Sequence, residues 1–155
     1  MTNKANKAKS ITIGTGSAGY SGTPLVKKLG IKAGQTVVVV NPPRNFLAQE
    51  LQPLPENVTL ASATTPKQLD FIMLFVSSAK ALQTELPKLK EKLARDGILW
   101  VSWPKKSSGV ETNLSFDVVQ QLGLKIGLVD VKICAVNDIW SGLKFVYRLK
   151  DRSSR

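Results

Sequence analysis

The sequence contains no histidine and a single cysteine, Cys134. The absence of histidine excludes Ser-His-Asp and Cys-His nucleophile arrangements, a histidine general base and every histidine-ligated zinc site. A lone cysteine cannot form an internal disulfide, which is typical of proteins from a reducing compartment. We therefore expect a cytoplasmic protein without a metal site or a resident cofactor, in which Cys134 is a small apolar residue of the core.

The sequence also lacks a long apolar run. The longest uninterrupted run, residues 71–76, is far shorter than the roughly 18 residues that a membrane span requires. The first ten residues are polar and contain no apolar segment of the kind found in secretory signals. We expect a soluble chain with no membrane partner.

Acidic residues are scarce. The chain has 22 Lys and Arg against 11 Asp and Glu, which gives a formal net charge of +11. Much of the excess lies at the two ends: Lys4, Lys7 and Lys9 have no acidic neighbour, and basic residues dominate again from Lys144 onward. A field of this sign attracts phosphates, nucleic acids and anionic lipids, and it also keeps a small domain soluble. Both interpretations stay open at the level of sequence.

Apolar and alternating segments predict the strands. The predicted strands are 35–40, 58–61, 69–76, 98–103, 129–136 and 143–149. Three of them are nearly continuous apolar runs, which is typical of buried parallel strands. The last two flank the turn-forming stretch 137–142 and predict a terminal antiparallel hairpin. In its second strand, alternate residues from Leu143 to Leu149 are expected to face the core.

Helices are predicted between these strands. Thr23 and Pro24 are suited to open a short helix that Gly30 ends, and Ser115 is suited to cap another. The longest helix begins after Ser77 or Ser78 and carries a leucine stripe at alternating three- and four-residue spacing. Pro87 lies inside that helix and is expected to kink it or split it in two.

Strands that alternate with helices predict an α/β fold. The chain is expected to form a three-layer, Rossmann-like structure whose mostly parallel sheet ends in an antiparallel hairpin. Its length of 155 residues suits one domain. We predict a disordered basic tail over residues 1–18, a single domain over 19–149 and a basic C-terminal tail over 150–155.

The glycines Gly14, Gly16 and Gly19 match the dinucleotide-binding spacing. In that interpretation their backbone amides would approach a pyrophosphate, and Arg44 would pair with the 2′-phosphate of NADP. The segment before them, residues 11–13, has only two apolar residues, whereas a central parallel strand is apolar throughout. The following helix is short and begins late. We therefore favour a glycine-rich continuation of the polar tail, with cofactor binding as the alternative.

Five motifs carry a resemblance to a known family. They are Gly19–Pro24, Lys27–Gly30, Trp100–Ser107, Gly127–Lys132 and Trp140–Lys144. On these motifs, residues 19–149 resemble a family of short bacterial proteins catalogued as a domain of unknown function. The resemblance implies a small Rossmann-like domain and assigns no activity to it.

A second resemblance concerns the order of elements after Leu69. An apolar strand, an amphipathic helix, a strand that begins with glycine, a helix and a terminal hairpin follow one another, as in the second half of S-adenosylmethionine-dependent methyltransferases. Those enzymes place a glycine-rich loop after their first strong strand, near the methionine end of the cofactor. Here the loop reads Asn41-Pro42-Pro43-Arg44, and no acidic residue follows the second strand to hold a ribose. The resemblance therefore implies a reduced, non-methylating relative.

Candidate binding residues follow from strand ends. In an open α/β sheet, ligands bind outside the carboxyl ends of the strands. Those ends and the hairpin corner are expected to form one rim that combines cations with indole rings, which suits a phosphate or carboxylate and a stacked ring. The candidates are Asn41, Arg44, Ser77, Trp103, Lys105, Lys106, Asp138, Trp140, Ser141 and Lys144.

No residue of this set is predicted to be catalytic. The two tryptophans of the third long strand are equally explained by packing, and the lysine pair by a solvated loop. The leading hypothesis is a non-enzymatic binding domain with an anionic ligand, such as a nucleotide, phosphate or nucleic acid. The alternatives are a basic protein associated with nucleic acid and a nucleotide- or S-adenosylmethionine-dependent enzyme.

Overall fold

The computed structural model describes residues 23–65 and 68–152 of the chain. The predicted tail over 1–18 and the glycines Gly14, Gly16 and Gly19 lie outside these residues. Within them, no helix is long and apolar enough to cross a membrane.

The described residues form a six-stranded sheet with helices between its strands. The strands are β1 (Thr36–Val40), β2 (Thr59–Leu60), β3 (Leu69–Phe75), β4 (Leu93–Pro104), β5 (Leu128–Ala135) and β6 (Trp140–Tyr147). The helices are α1 (Leu25–Leu29), α2 (Ala79–Lys92), α3 (Phe116–Lys125) and α4 (Leu149–Arg152). Two helical turns cover Phe46–Glu50 and Lys106–Ser108.

The strand order is β2-β1-β3-β4-β6-β5. Strands β2, β1, β3 and β4 pair in parallel, whereas β6 pairs antiparallel to both β4 and β5. The predicted fold class, a Rossmann-like sheet that is mostly parallel and ends in an antiparallel hairpin, is therefore confirmed.

Apolar side chains cover both faces of the sheet. On one face, leucines of α2 and Val119 of α3 pack against the alternate residues of β3, β4 and β6. On the other face, α1 and the turn after β1 cover Phe71, Met73 and Trp100. The Trp100 indole N–H donates to the Leu29 carbonyl oxygen at 2.8 Å, which fixes α1 to the middle of the sheet. We call this second face the α1 face.

The predicted start of the first helix is shifted by one residue. Helix α1 begins at Leu25 without a side-chain cap, and the Pro24 carbonyl oxygen accepts its first hydrogen bonds, from the backbone amides of Lys27 and Lys28. Its predicted end is confirmed, since Gly30 adopts a left-handed conformation with φ of 90°. A left-handed residue at this position ends a helix and favours glycine.

Pro87 does not split the second helix. Helix α2 runs continuously over Ala79–Lys92, with Ser78 as its cap: the Ser78 hydroxyl accepts from the Ala81 amide at 3.1 Å. The apolar stripe is confirmed at Leu82, Leu86 and Leu89, which are all buried. Packing of this stripe compensates for the backbone hydrogen bond that a proline inside a helix removes.

Strand β4 begins five residues earlier than predicted. The chain leaves α2 directly into an extended conformation at Leu93, which pairs with Leu69 before an irregularity that brings Ile98 opposite Phe71. Gly97 lies in that irregularity, where an added Cβ would stand 2.8 Å from Leu93 Cδ1. Gly97 thus marks a local irregularity within one strand.

Strand β6 also begins earlier than predicted. The Asn137 carboxamide oxygen accepts from the amides of Ile139 and Trp140, each at 2.9 Å, and so closes the hairpin turn before Trp140. The strand ends at Tyr147, so the prediction that Leu149 faces the core is wrong. Leu149 is 76% exposed and begins α4.

Helix α3 packs on β6 at Gly123. A Cβ built on Gly123 would stand 2.1 Å from Cε1 of Phe145, a fully buried ring. Because neither the ring nor the helix has room to move aside, we expect Gly123→Ala to lower the free energy of unfolding by about 1–3 kcal/mol in urea titrations. Gln121→Ala, on the exposed side of the same helix, is the control and should change stability by less than about 0.5 kcal/mol. An equal effect of both changes would contradict the close packing.

Candidate functional site

The carboxyl edge of the sheet is where the fold class locates ligands. The loops after β1, β3 and β4 reach this edge, and so does the turn between β5 and β6. Pro104 at the end of β4 lies opposite Trp140 at the start of β6. The amide of Lys105 then donates to the Ile139 carbonyl oxygen at 2.7 Å, so that the β4 loop and the hairpin turn are joined.

Three aromatic rings close this edge on the α1 face. Phe46, from the turn after β1, packs edge to face on Phe75 at the end of β3, with ring centroids 4.9 Å apart. The Trp140 ring packs on the other side of Phe75 at 5.0 Å, again edge to face. Phe46 and Phe75 are essentially inaccessible to solvent, whereas Trp140 is half-buried. Among the described residues, these three rings therefore form a packed aromatic cluster at the carboxyl ends of β1 and β3.

A polar contact joins the same loops above the rings. The Asn137 carboxamide nitrogen donates to a Glu50 carboxylate oxygen at 2.8 Å and so connects the hairpin turn to the turn after β1. Sequence reasoning missed Phe46, Phe75, Glu50 and Asn137 as edge residues. The one available signal was the Asn-Asp dipeptide at 137–138, which is typical of turns.

The structure brings part of the predicted rim together. Asn41 and Arg44 follow β1, and both are exposed. Lys105 and Lys106 follow β4 beside the hairpin turn, where Asp138 is exposed, and Ser77 follows β3. Ser141 lies one position inside β6, opposite Trp103. Among the described residues, Arg44 makes no hydrogen bond or ion pair, so its guanidinium stays available to an anion.

Two predicted rim residues lie elsewhere. Trp103 is 5% exposed and packs in the core under α2 and α3, because its side chain points to that face of β4. Lys144 lies in the middle of β6, four residues and about 13 Å along the strand from Trp140. Placing Lys144 at the rim was therefore wrong, since β6 runs away from the carboxyl edge.

A shallow cleft of about 390 Å³ remains open at the edge beside α2. Its lining comprises Ser77, Ser78, Glu111, Thr112 and Asn113. The Thr112 hydroxyl donates to the Ser77 carbonyl oxygen at 2.6 Å, and the Asn113 carboxamide oxygen accepts from the Ala79 amide at 2.8 Å. The polar groups of this cleft are thus used to hold the start of α2.

One buried hydroxyl near this edge lacks a hydrogen-bond partner among the described residues. Ser102 is fully buried opposite Phe75 and Gly142, and its hydroxyl has no hydrogen-bond partner among the described residues. An unpaired buried hydroxyl costs about 1–3 kcal/mol. Because Ser102 is closed off from solvent, we assign it no part in binding. Within the described ranges, no three Cys, Asp or Glu side chains cluster as metal ligands.

A second candidate surface lies on the α1 face, around the misplaced Lys144. We call it the lysine face; it comprises Lys28, Lys32, Lys132 and Lys144. Lys144 and Lys132 are direct cross-strand neighbours in β6 and β5. The Lys28 amine donates to the Ala135 carbonyl oxygen at 3.1 Å, and the Lys132 amine to the Lys28 carbonyl oxygen at 3.5 Å.

Burial and mutual repulsion act on groups at this face. Partial burial, followed by the positive charges of Lys132 and Lys32, lowers the pKa of the Lys144 amine. Burial raises the pKa of the neighbouring Cys134 thiol, and the positive charges of Lys28, Lys132 and Lys105 oppose that rise only in part. The thiol therefore stays protonated and packs as an apolar group against the α1-face core.

Several solved structures, two of them named as a methylase or methyltransferase, have a similar fold. DhpI in its complex with SAH matches with a TM-score of 0.58 at 9% identity, over 81% of this chain and 83% of that one. The ribosomal protein L11 methylase of Lactobacillus delbrueckii subsp. bulgaricus matches with a TM-score of 0.53 at 14% identity, over 80% and 75%. A SAM-dependent methyltransferase of Aquifex aeolicus gives 0.52 at 16%, over 78% and 86%.

These similarities confirm the methyltransferase-like fold and, at such low identity, nothing beyond it. No family model matches the chain, and no curated protein matches it either. The resemblance to a short bacterial family thus gains no support from a family model, whereas the resemblance to the methyltransferase fold does gain support from solved structures.

The cross-strand lysine pair is expected to cost stability. Like charges directly opposite each other in a sheet repel, and such pairs differ from neutral ones by about 0.2–1 kcal/mol. We expect the double change of Lys132 and Lys144 to Gln to raise the free energy of unfolding by that amount in urea titrations at low salt. The same change at Lys88 and Lys125, which are exposed on α2 and α3, is the control. A loss of stability in the Lys132/Lys144 variant alone would contradict the repulsion.

The lowered pKa of Lys144 predicts a pH dependence. Because the folded state holds this proton less tightly than the unfolded state, the unfolded chain binds more protons in the range below the ordinary lysine pKa of about 10.4. Stability contributed through this group therefore rises as pH increases through that range. We expect wild-type protein to gain stability relative to Lys144→Gln as the pH is raised from neutral, measured as urea midpoints. A constant difference between the two proteins would contradict the assignment.

Proposed function

We propose that this chain is a non-enzymatic binding domain that retains a methyltransferase-like fold and binds an anionic partner. The observation that carries the proposal is the closure of the carboxyl edge by Phe46, Phe75 and Trp140. In this fold class a small-molecule ligand enters the crevice outside the carboxyl ends of the strands. The packing of these rings on one another at that edge supports a crevice without room for such a ligand.

The loop after β1 supports the same conclusion. A backbone that approaches a nucleotide closely is usually rich in glycine, because a side chain would stand in the way. The segment after β1 is Asn41-Pro42-Pro43-Arg44 and continues into the turn that carries Phe46. It offers no run of free amides to a phosphate, since proline has none, and it directs a ring towards Phe75.

The charge of the chain indicates the chemistry of the partner. The net charge is +11, and no Asp or Glu occurs in residues 1–22, 66–67 or 153–155. Arg44 and Lys106 are exposed at the edge, and the lysine face adds four further cations. Positive surfaces of this kind raise the local concentration of anions and the rate at which they are encountered.

Thermal unfolding with a ligand panel tests the proposal. The panel contains S-adenosylmethionine, S-adenosylhomocysteine, NADPH and tripolyphosphate, with NaCl added to equal ionic strength as the reference. A ligand at a hundredfold excess over its Kd adds about 2.7 kcal/mol, a shift of several degrees at this chain length. We expect no shift with the two adenosyl compounds and a rise of the midpoint with tripolyphosphate.

Each arm of the panel can contradict a different part of the proposal. A rise with S-adenosylmethionine or S-adenosylhomocysteine would show that the aromatic closure opens, and it would favour a methyltransferase. A rise with NADPH that exceeds the tripolyphosphate effect and persists at high salt would favour nucleotide binding through Gly14, Gly16 and Gly19. An unchanged midpoint with tripolyphosphate would contradict the binding of an anionic partner.

A further inference from the structure

The lysine face is built from three separate parts of the chain. Lys28 comes from α1, Lys32 from the loop after it, and Lys132 and Lys144 from the paired strands β5 and β6. Lys144 lies opposite both Lys132 and Trp100, and this places the strand lysines on the α1 face of the sheet. The amines of Lys28 and Lys132 bind backbone carbonyl oxygens between α1 and β5, which holds the cluster together.

No acidic side chain neutralises this cluster. All eleven Asp and Glu of the sequence lie within the described residues. None of them forms an ion pair with Lys28, Lys32, Lys132 or Lys144. The nearest acid in β5, Asp130, lies opposite Phe145 and accepts from the Gln120 carboxamide nitrogen of α3, on the other face. The four positive charges therefore have no acidic side chain as a partner, and those of Lys132 and Lys32 repel that of Lys144.

We propose that the lysine face binds the phosphate backbone of nucleic acid. This inference rests on the proposed function as an anion-binding domain and names its partner. Lysine amines are flexible point charges, which suits contacts with phosphates more than the bidentate reading of base edges that arginine provides. The binding is therefore expected to depend little on nucleotide sequence and strongly on salt.

The distribution of apolar side chains favours nucleic acid over a lipid surface. Membrane-surface binding combines cations with apolar side chains that enter the bilayer from the same face. The exposed Ile133 of β5 lies opposite Leu143, which packs under α2 and α3. Ile133 therefore belongs to the opposite face of the sheet from Lys132 and Lys144. Val131, the other exposed apolar residue of β5, lies at the register shift between Asp130 and Lys132 and is a single apolar side chain. Lys4, Lys7 and Lys9 precede α1 in the sequence and extend the same sign of charge.

Fluorescence anisotropy with a fluorescein-labelled duplex DNA of about 20 base pairs tests the inference on the full chain. We compare wild-type protein with the Lys132→Gln/Lys144→Gln variant and with the matched Lys88→Gln/Lys125→Gln variant at several NaCl concentrations. Both variants lose two positive charges, but Lys88 and Lys125 lie on the helices that cover the opposite face.

Loss of two phosphate contacts is expected to lower the salt dependence of binding, as the slope of log Kobs against log[NaCl], by about 2. At about 0.1 M salt the affinity of the Lys132/Lys144 variant should fall on the order of tenfold, and that of the control by less than about threefold, because distant charges are screened. Lys132→Arg/Lys144→Arg keeps the charge and should retain binding. Thermal unfolding of each variant verifies that a lost affinity does not reflect a lost fold.

Three results would overturn the inference. Equal losses in the two glutamine variants would show that net charge, and not the lysine face, determines binding. Absence of duplex binding by wild-type protein, together with binding to vesicles of phosphatidylcholine and phosphatidylserine, would identify a lipid surface instead. If the wild-type protein bound neither the duplex nor the vesicles, the lysine face would have no anionic macromolecule as its partner. None of these three results depends on the thermal shifts with S-adenosylmethionine and S-adenosylhomocysteine. Failure of this inference can therefore be distinguished from failure of the proposed non-enzymatic function.

Discussion

The burial of β3 and β4 on both faces is the constraint on which the rest of the structure depends. From Phe71 to Phe75 every side chain of β3 is excluded from solvent, and successive residues of a strand point to opposite faces. A sheet with such a centre is stable only when both faces are covered. On one face α2 and α3 provide this cover with their apolar stripes. On the other face, within residues 23–65 and 68–152, the cover consists of the short α1 and the turn after β1.

The thin cover of the α1 face explains both candidate surfaces. Because α1 has five residues, large rings replace a longer helix: Trp100 fills the centre of the face, and Phe46 with Trp140 encloses Phe75 at the carboxyl edge. The rings that complete the core thus lie at the edge where this fold class holds small molecules. Towards β5 the described residues provide no further cover, and there the strands carry the lysines of the lysine face.

The lysine face combines a cost in folding stability with the binding role proposed for it. Two lysines opposite each other in neighbouring strands repel, and partial burial of Lys144 adds to this cost. The core is large enough to tolerate it, since apolar side chains from nearly every element are buried on the two faces. An arrangement that lowers stability without contributing to packing is typical of binding surfaces, where the partner removes the repulsion.

Much of the fold follows from local patterns. The apolar runs of β1 and β3, the leucine stripe of α2, the serine caps at Ser78 and Ser115 and the left-handed Gly30 are all local features, and each predicts its element correctly. The position of the candidate sites does not follow from them. Trp103 packs in the core because of the face of β4 to which its side chain points. Lys144 lies opposite Lys132 because of the strand register that the Asn137 turn imposes. Pairing between distant segments determines both the face and the register. A shift of one residue would move every side chain of a strand to the opposite face.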